Sequence, residues 1–130
     1  MILVDTHVVV WLALEPDLIS RSAADALLGA RQAGGGVGIA DITIWEIAQL
    51  TRKGRIDLQT PLASFLRSVE SSYRVFRVNS EVAVRGIGFS ETYSRDPADR
   101  LIGATAVVNG LKLVTKDEAI RASGEVNCIW

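Results

Sequence analysis

The sequence is poor in the side chains that build disulfides and zinc sites. Its 130 residues include one cysteine, Cys128, and one histidine, His7. A single cysteine excludes an internal disulfide and is typical of a reducing compartment. We interpret Cys128 as a small buried apolar side chain rather than a nucleophile. With so few nitrogen and sulfur ligands, the sequence does not favour a zinc site.

The chain also lacks long apolar runs and a marked excess of charge of one sign. Its longest apolar run, residues 8–14, is too short to cross a membrane. Asp5 interrupts the apolar N-terminal stretch, so we expect no signal peptide and a cytoplasmic location. A net charge of −1 excludes a protein that coats nucleic acid. It does not exclude an enzyme acting on nucleic acid, because a bound cation can supply positive charge locally.

What the sequence does contain is an alternation of short apolar strands with helical segments. The hydrophobic content of 48% and the length predict one domain with a substantial core, residues 1–130. Strands are predicted at residues 2–4, 37–40, 73–78, 111–115 and 126–130. Helices are predicted at residues 6–14, from Ser20 or Ser22 to 32, 41–53, from Pro61, from a Ser80 cap to about 86, 97–109 and 117–122.

This alternation predicts an α/β fold, a three-layer α/β/α sandwich around a mostly parallel central sheet of four to five strands. The first strand is apolar at every position, which indicates burial on both faces and a central place in the sheet. Ligands of such sheets bind at the carboxyl ends of the strands, near the point where the strand order reverses. Asp5 follows the first strand directly.

Three further carboxylates fall at matching positions. Asp117 lies two residues beyond the fourth predicted strand, Glu46 lies early in the helix after the second, and Asp99 lies in the first turn of the helix leading to the fourth. A helix that returns antiparallel to the sheet begins at the edge where strands end. We therefore expect Asp5, Glu46, Asp99 and Asp117 at one rim.

Each acid also has a purely structural alternative. The alternatives are helix caps at Asp5, Asp96 and Asp117, a capping box of Thr43 with Glu46, and a helix-dipole position at Asp99. Four carboxylates at one rim, however, repel one another unless a cation neutralises them. Mg²⁺ and Mn²⁺ bind oxygen ligands and lower the pKa of bound water. The set therefore predicts metal-assisted phosphodiester hydrolysis.

The stretches around these acids resemble those of PIN domains, and specifically of the VapC-like toxins of type II toxin–antitoxin pairs. The matching stretches are residues 3–7 with Trp11 and Leu12, residues 43–48, residues 95–102 and residues 113–117. They occur in the family's order and approximate spacing over essentially the whole chain. None of them is specific singly, but the four together are.

The resemblance implies a Mg²⁺- or Mn²⁺-dependent ribonuclease that acts on RNA, is restrained by a cognate antitoxin protein and is usually a homodimer. It implies metal-binding, catalytic roles for Asp5, Glu46, Asp99 and Asp117, and supporting roles for Thr6 and Thr115. Asp96 matches the first acid of the family's Asp-Pro-x-Asp-Arg pattern, and we interpret it as a helix cap first and a site residue second. The chain departs from many relatives at residues 91–94, where they carry histidines.

Several cationic side chains near these stretches admit two interpretations. Arg100 could contact an RNA phosphate or form an ion pair with a neighbouring acid. Arg52, Lys53 and Arg55 could be a solvated helix end or a contact to the RNA backbone. We expect His7 to point away from Asp5. We also expect a water molecule, rather than the His7 imidazole, to be the nucleophile.

The sequence is compatible with two roles for Trp11 and Trp45. Both lie on predicted helices next to site acids, and each could pack in the core or line a groove for an antitoxin helix or a second copy of the chain.

Two rival functions accompany the nuclease. The first is a catalytically inactive PIN-like module that binds RNA or protein. The second is a phosphoacceptor signalling domain, which would need paired acids after the first strand and an aspartate ending the third. Here the third predicted strand ends in Arg77, Val78 and Asn79, with no aspartate, which disfavours the signalling domain.

Overall fold

The computed structural model describes residues 1–130 and contains five strands and seven α-helices. The strands are β1 Ile2–Val4, β2 Val37–Ala40, β3 Arg74–Phe76, β4 Lys112–Val114 and β5 Cys128–Ile129. The helices are α1 Thr6–Leu14, α2 Arg21–Gln32, α3 Ile42–Arg52, α4 Leu62–Ser72, α5 Ser80–Ile87, α6 Pro97–Val108 and α7 Glu118–Ser123, with a short 3-10 helix at Pro16–Leu18. None of these helices has the length and apolar character needed to span a bilayer.

The central sheet is parallel throughout, with strand order β3-β2-β1-β4-β5. The predicted α/β fold is therefore confirmed, and the sheet has five strands. From β1 the chain adds β2 and then β3 on one side, and afterwards crosses to β4 on the other side of β1. The strand order thus reverses between β1 and β4. Their carboxyl ends are where a sheet of this type binds ligands.

Helices cover both faces of the sheet, which gives the three layers. In β1 the side chains of Ile2 and Val4 join one core, and Leu3 between them joins the other. The first core takes residues from α1 to α4 and the second takes residues mainly from α5 to α7. Because successive strand side chains point to opposite faces, an all-apolar strand is what this double burial requires.

The two edge strands are shorter than predicted. β3 pairs only with residues 38–40 of β2, and β5 pairs only with Leu113 and Val114 of β4. The prediction of a strand from Tyr73 is wrong because that residue ends α4, where its N–H donates to the carbonyl of Val69.

The predicted cap of α5 and the structural alternative for Glu46 are both corrected. Asn79, not Ser80, caps α5, since the Asn79 Oδ1 accepts the N–H of Val82 at 3.0 Å. The capping box of Thr43 with Glu46 does not form, because both side chains turn towards α1. Of the two serines considered for α2, Ser20 is the cap.

Candidate metal centre

Asp5 lies at the point where β1 and β4 end. Its N–H donates to the carbonyl of Val114 at 3.0 Å, which continues the pairing of the two strands by one residue. The carboxylate accepts the N–H of Thr6 on Oδ1 and the hydroxyl of Thr115 on Oδ2, both at 2.7 Å. Only 4% of Asp5 is exposed. The carboxylate therefore begins α1, as its structural alternative predicted, and is held in a fixed orientation at the rim.

A hydroxyl of α1 fixes Glu46 of α3. The Thr6 Oγ1 donates to Glu46 Oε1 at 2.5 Å and lies 3.1 Å from the Thr43 Oγ1. Both threonines are buried. The sequence pattern predicted only a capping box for Thr43, and this contact to Thr6 is an additional role. The spacing of three residues that suggested the box also places Thr43 and Glu46 on one side of α3.

Glu46 meets two acids from the start of α6. One carboxylate oxygen from each of Glu46, Asp96 and Asp99 lies within 4.8 Å of the others. Asp96 also caps α6, because its Oδ1 accepts the N–H of Ala98 at 3.1 Å. It therefore has both of the positions considered for it, as a helix cap and as a member of the acidic group. Four carboxylates were predicted at the rim, and the structure adds Asp96 to them in the tightest group.

Ser94 connects the two acids of this helix start. Its hydroxyl donates to Asp99 Oδ2 at 2.6 Å and accepts the N–H of Asp96 at 3.2 Å. The Tyr93 hydroxyl, in turn, donates to the backbone carbonyl of Asp99 at 3.0 Å. A side chain at Gly103 would collide with that hydroxyl, so the glycine makes room for it. The segment where relatives were expected to carry histidines thus positions Asp99.

Asp117 lies at the start of α7, two residues after Thr115. Its Oδ1 caps α7 through the N–H of Ile120 at 2.9 Å. Its own N–H donates to the Thr115 Oγ1 at 3.1 Å, and that hydroxyl donates onward to Asp5. Thr115 therefore bridges Asp5 and Asp117. Asp117 is outside the group of three acids, but its charge adds to the rise in the pKa of Asp99 that burial mainly causes.

Crowding and burial change the protonation of two of these acids. Burial raises the pKa of Glu46 to about 7, with further contributions from the charges of Asp5, Asp99 and Asp96, while the hydrogen bond from Thr6 opposes the shift. Burial, with nearby carboxylates, likewise raises the pKa of Asp99 to about 6, against the hydrogen bond from Ser94. A cation among these carboxylates would displace their protons.

The donor set fits a hard divalent cation. Glu46, Asp96 and Asp99 offer carboxylate oxygens, and the group contains no imidazole or thiol. Oxygen ligands suit Mg²⁺ and Mn²⁺, whereas zinc sites in proteins use mostly nitrogen and sulfur.

The prediction that His7 points away from Asp5 is wrong. The His7 Nδ1 lies 3.5 Å from Asp5 Oδ2, and its Nε2 accepts the N–H of Lys116 at 3.0 Å. Side chains in the first turn of a helix lean back towards its N-terminus, which brings this ring over Asp5. Burial lowers the pKa of the imidazole despite the nearby carboxylates of Asp5 and Asp117. Because Nε2 accepts a hydrogen bond, the proton of the neutral ring is on Nδ1, facing Asp5.

Arg100 has a structural role different from the one foreseen. Its guanidinium donates to the carbonyls of Gly86, Phe89 and Ser90 at 3.0 to 3.1 Å, at and beyond the end of α5. It does not form the ion pair with an acid that was its structural alternative. Cations commonly satisfy the carbonyls at a helix C-terminus in this way.

Trp11 and Trp45, for which the sequence allowed two roles, have different environments. Trp11 is partly buried against the first core and contacts His7. Trp45 is 59% exposed, so it is not a core residue. It lines a hollow of about 460 Å³ together with Arg52 and Lys53. Cys128 is half-buried rather than buried, and burial raises the pKa of its thiol to about 11, which does not suit a nucleophile.

The fold and the carboxylate rim define the class of protein. The chain belongs to the PIN domain family, whose model matches residues 2–125. It is 35% identical, over 121 residues, to Ribonuclease VapC22 of Mycobacterium tuberculosis (strain ATCC 25618 / H37Rv). This match covers 93% of this chain and 90% of that protein. The family expected from the sequence is confirmed.

Solved structures share the fold at low sequence identity. VapBC2 from Rickettsia felis, bound to a DNA fragment from its promoter, matches with a TM-score of 0.69 and 15% identity over 98% of this chain and 97% of that chain. FitAcB from Neisseria gonorrhoeae matches with a TM-score of 0.65 and 22% identity over 98% of this chain and 96% of that chain. At these identities the likeness shows the fold alone.

Proposed function

We propose that the protein is a metal-dependent endoribonuclease that acts as a VapC-like toxin. The observation that carries the proposal is the meeting of Glu46, Asp96 and Asp99 within 4.8 Å at the rim of a PIN domain. The 35% identity to a ribonuclease supports the same activity. RNA is therefore the proposed substrate.

The proposed metal-binding and catalytic residues are Asp5, Glu46, Asp99 and Asp117, with Asp96 joining them at the start of α6. The cation is Mg²⁺ or Mn²⁺, and when bound it would supply Lewis-acid stabilisation of the phosphodiester and water of lowered pKa. Thr6 and Thr115 keep the carboxylates of Glu46 and Asp5 oriented through their hydroxyls. Supporting hydrogen bonds of this kind commonly affect metal affinity by about 10- to 100-fold.

The proposed partner is a cognate antitoxin protein. One similar solved structure is described as a toxin–antitoxin complex from Klebsiella pneumoniae, with a TM-score of 0.63. We also propose a homodimer and a cytoplasmic location. Val84 and Ile87 of α5 are 70% and 84% exposed, and such apolar exposure is typical of contact surfaces. Sedimentation velocity of the purified protein measures the oligomeric state directly.

The phosphoacceptor alternative gains no support. A phosphoacceptor signalling domain has a flavodoxin-like sheet with strand order 2-1-3-4-5, whereas the sheet of this protein has strand order 3-2-1-4-5. The inactive binding module has the same fold as the nuclease, so an activity measurement has to separate these two.

The test is cleavage of a mixed total-RNA preparation by purified, antitoxin-free protein. The reaction is run with Mg²⁺, with Mn²⁺ and with EDTA, beside the Asp99→Asn variant. We expect discrete fragments that disappear with EDTA and with the variant. If fragments persist in EDTA, or if Asp99→Asn cleaves as fast as the wild type, the proposed chemistry is wrong. Absence of cleavage together with absence of metal binding would favour the binding module.

A further inference from the structure

Two of the three tryptophans lie with the single histidine beside Asp5. The chain has three tryptophans and one histidine, and His7, Trp11 and Trp130 form a single aromatic cluster. The ring centroids of His7 and Trp11 are 4.8 Å apart, and those of Trp11 and Trp130 are 5.9 Å apart. None of the three side chains is fully buried. The aromatic cluster therefore reaches the surface of the molecule.

The aromatic cluster begins one side chain away from the candidate metal centre. The His7 Nδ1 is 3.5 Å from Asp5 Oδ2, and its Nε2 accepts the N–H of Lys116, the residue between Thr115 and Asp117. Trp11 follows His7 by one helical turn on α1. A nucleotide whose phosphate lies at the carboxylates would therefore have its base or its neighbour's base close to Trp11.

Lys116 adds a cation to this otherwise acidic rim. Its side chain is exposed, and its Nζ lies 5.6 Å from the centroid of the Trp11 ring. An ammonium next to an aromatic ring is the pairing with which proteins bind single-stranded nucleic acid, the ring stacking on a base and the cation contacting phosphate.

Trp11 also opens onto a hollow of about 450 Å³. The hollow is lined by apolar side chains, among them Leu14 and Ile56, and by the charged Arg55, Glu15 and Asp57. Its volume is within the range of small-ligand sites. The acidic groups offset Arg55, so the hollow favours a flat, uncharged group with hydrogen-bonding edges over a phosphate.

We propose that Trp11 and Lys116, with the hollow that Trp11 lines, bind an unpaired RNA base next to the phosphodiester that is cleaved. The proposal rests on the nuclease function proposed above and names a base-binding site for it. Stacking on Trp11 selects for single-stranded RNA, because a base inside a duplex does not expose its face. Once a divalent cation is bound at the carboxylates, a nucleotide has a phosphate to place on it, whereas an uncharged peptide segment has no such group.

The test measures RNA binding in a background that does not cleave. Fluorescence anisotropy with Mg²⁺ follows a labelled single-stranded RNA pool of about 12 nucleotides on the Asp99→Asn protein, with and without Trp11→Leu. Trp45→Leu is the matched control, since it removes an exposed tryptophan that lines a different hollow. The same RNA with abasic sugars separates loss of base stacking from loss of backbone contacts. Circular dichroism verifies that each variant is folded.

We expect Trp11→Leu to weaken binding about tenfold or more and Trp45→Leu to change it less than twofold, roughly as stacking energies imply. On abasic RNA, Trp11→Leu should have no further effect. Lys116→Met should lower the salt dependence of binding by about 0.7 in the slope of log K against log salt. If Trp11→Leu does not fold, Trp11→Phe, which keeps a smaller ring, should weaken binding by a smaller factor, and Lys116→Met tests the cation alone.

Three results would overturn the proposal. A folded Trp11→Leu protein that binds RNA as tightly as its parent would leave the hollow to packing or to a protein partner. An equal loss on normal and abasic RNA would mean that the substitution disturbs the site as a whole. If the wild type cleaves no RNA and Asp99→Asn binds none, the proposed nuclease function fails, and the base-binding site fails with it. Cleavage by the wild type with an unaffected Trp11→Leu variant refutes the base-binding site alone.

Discussion

At the scale of single residues, hydroxyl groups organise the acids. Thr6 holds Glu46, Thr115 joins Asp5 to Asp117, and Ser94 holds Asp99. Each hydroxyl donates to a carboxylate and limits its rotation, and for Glu46 and Asp99 the hydrogen bond also opposes the rise in pKa that burial causes. The carboxylates therefore stay close together despite their mutual repulsion.

Thr6→Val tests this organisation, because valine keeps the shape of threonine and removes the hydroxyl. The pKa of Glu46 should rise, since the hydrogen bond from Thr6 opposes the upward shift. Mn²⁺ affinity should fall by about tenfold or more. The buried Thr43 hydroxyl loses a partner, so the unfolding free energy should fall by about 1–3 kcal/mol.

Thr105→Val is the control, because the buried Thr105 hydroxyl bonds within α6, to the carbonyl of Leu101. Equal metal affinity for both variants would contradict the role given to Thr6.

The raised pKa values of the acids predict how stability depends on pH without metal. Glu46 has a pKa of about 7 in the folded protein against an ordinary value of 4.5, so the folded state holds its proton more tightly than the unfolded state. The resulting stabilisation is fully present below pH 4.5 and is lost as the pH rises through 7. The lowered pKa of His7 acts in the opposite sense, but only below its ordinary 6.5.

Between pH 6.5 and about 8 the melting temperature in EDTA should therefore fall, and Glu46→Gln should reduce that fall. Saturating Mg²⁺ should reverse the trend, because cation binding requires the ionised carboxylates. Differential scanning fluorimetry across this range measures both slopes. A melting temperature in EDTA that rises with pH, with no difference between the wild type and Glu46→Gln, would contradict the assignment.

At the scale of elements, patterning predicted the order of strands and helices well, and their ends less well. The apolar β1 and the Asp-Pro start of α6 are strong local signals, and both elements form where expected. β3 and β5 are short because their partners offer few pairing positions, which no local signal reveals. Glu46 illustrates the limit for the site. Its spacing from Thr43 fitted a capping box, but the tertiary contact with Thr6 determines its orientation.

The corrected cap of α5 gives a test at this scale. Asn79→Ala should lower the unfolding free energy by about 1 kcal/mol, because the N–H of Val82 loses its acceptor. Ser80→Ala should leave stability unchanged within about 0.5 kcal/mol, since Ser80 is inside the helix and provides no cap. Urea unfolding followed by circular dichroism compares the two variants. A larger loss for Ser80→Ala would restore the original prediction.

At the scale of the whole molecule, the parallel topology assembles the site. The acids are spread from Asp5 to Asp117 in the sequence, yet each follows a strand or lies in the first turns of a helix at the same edge of the sheet. This convergence could be predicted because parallel strands all end at one edge. The aromatic cluster could not, because Trp130 reaches Trp11 only through the pairing of β5 beside β4. The net charge of −1 gives the surface little general attraction for RNA, so a cation at the rim has a central place in the proposal.

Calorimetric titration with Mn²⁺ tests the central claim, that these carboxylates form a metal centre, without knowledge of the RNA target. The wild type should bind Mn²⁺ at neutral pH and release protons, detectable as a dependence of the heat on the buffer, because Glu46 has a pKa of about 7. Asp99→Asn should bind at least about tenfold more weakly. Asp41→Asn is the matched control, since Asp41 follows β2 and accepts the N–H of Val78 outside the acidic group. Absence of binding by the wild type, or equal affinities for the wild type and Asp99→Asn, would contradict the account.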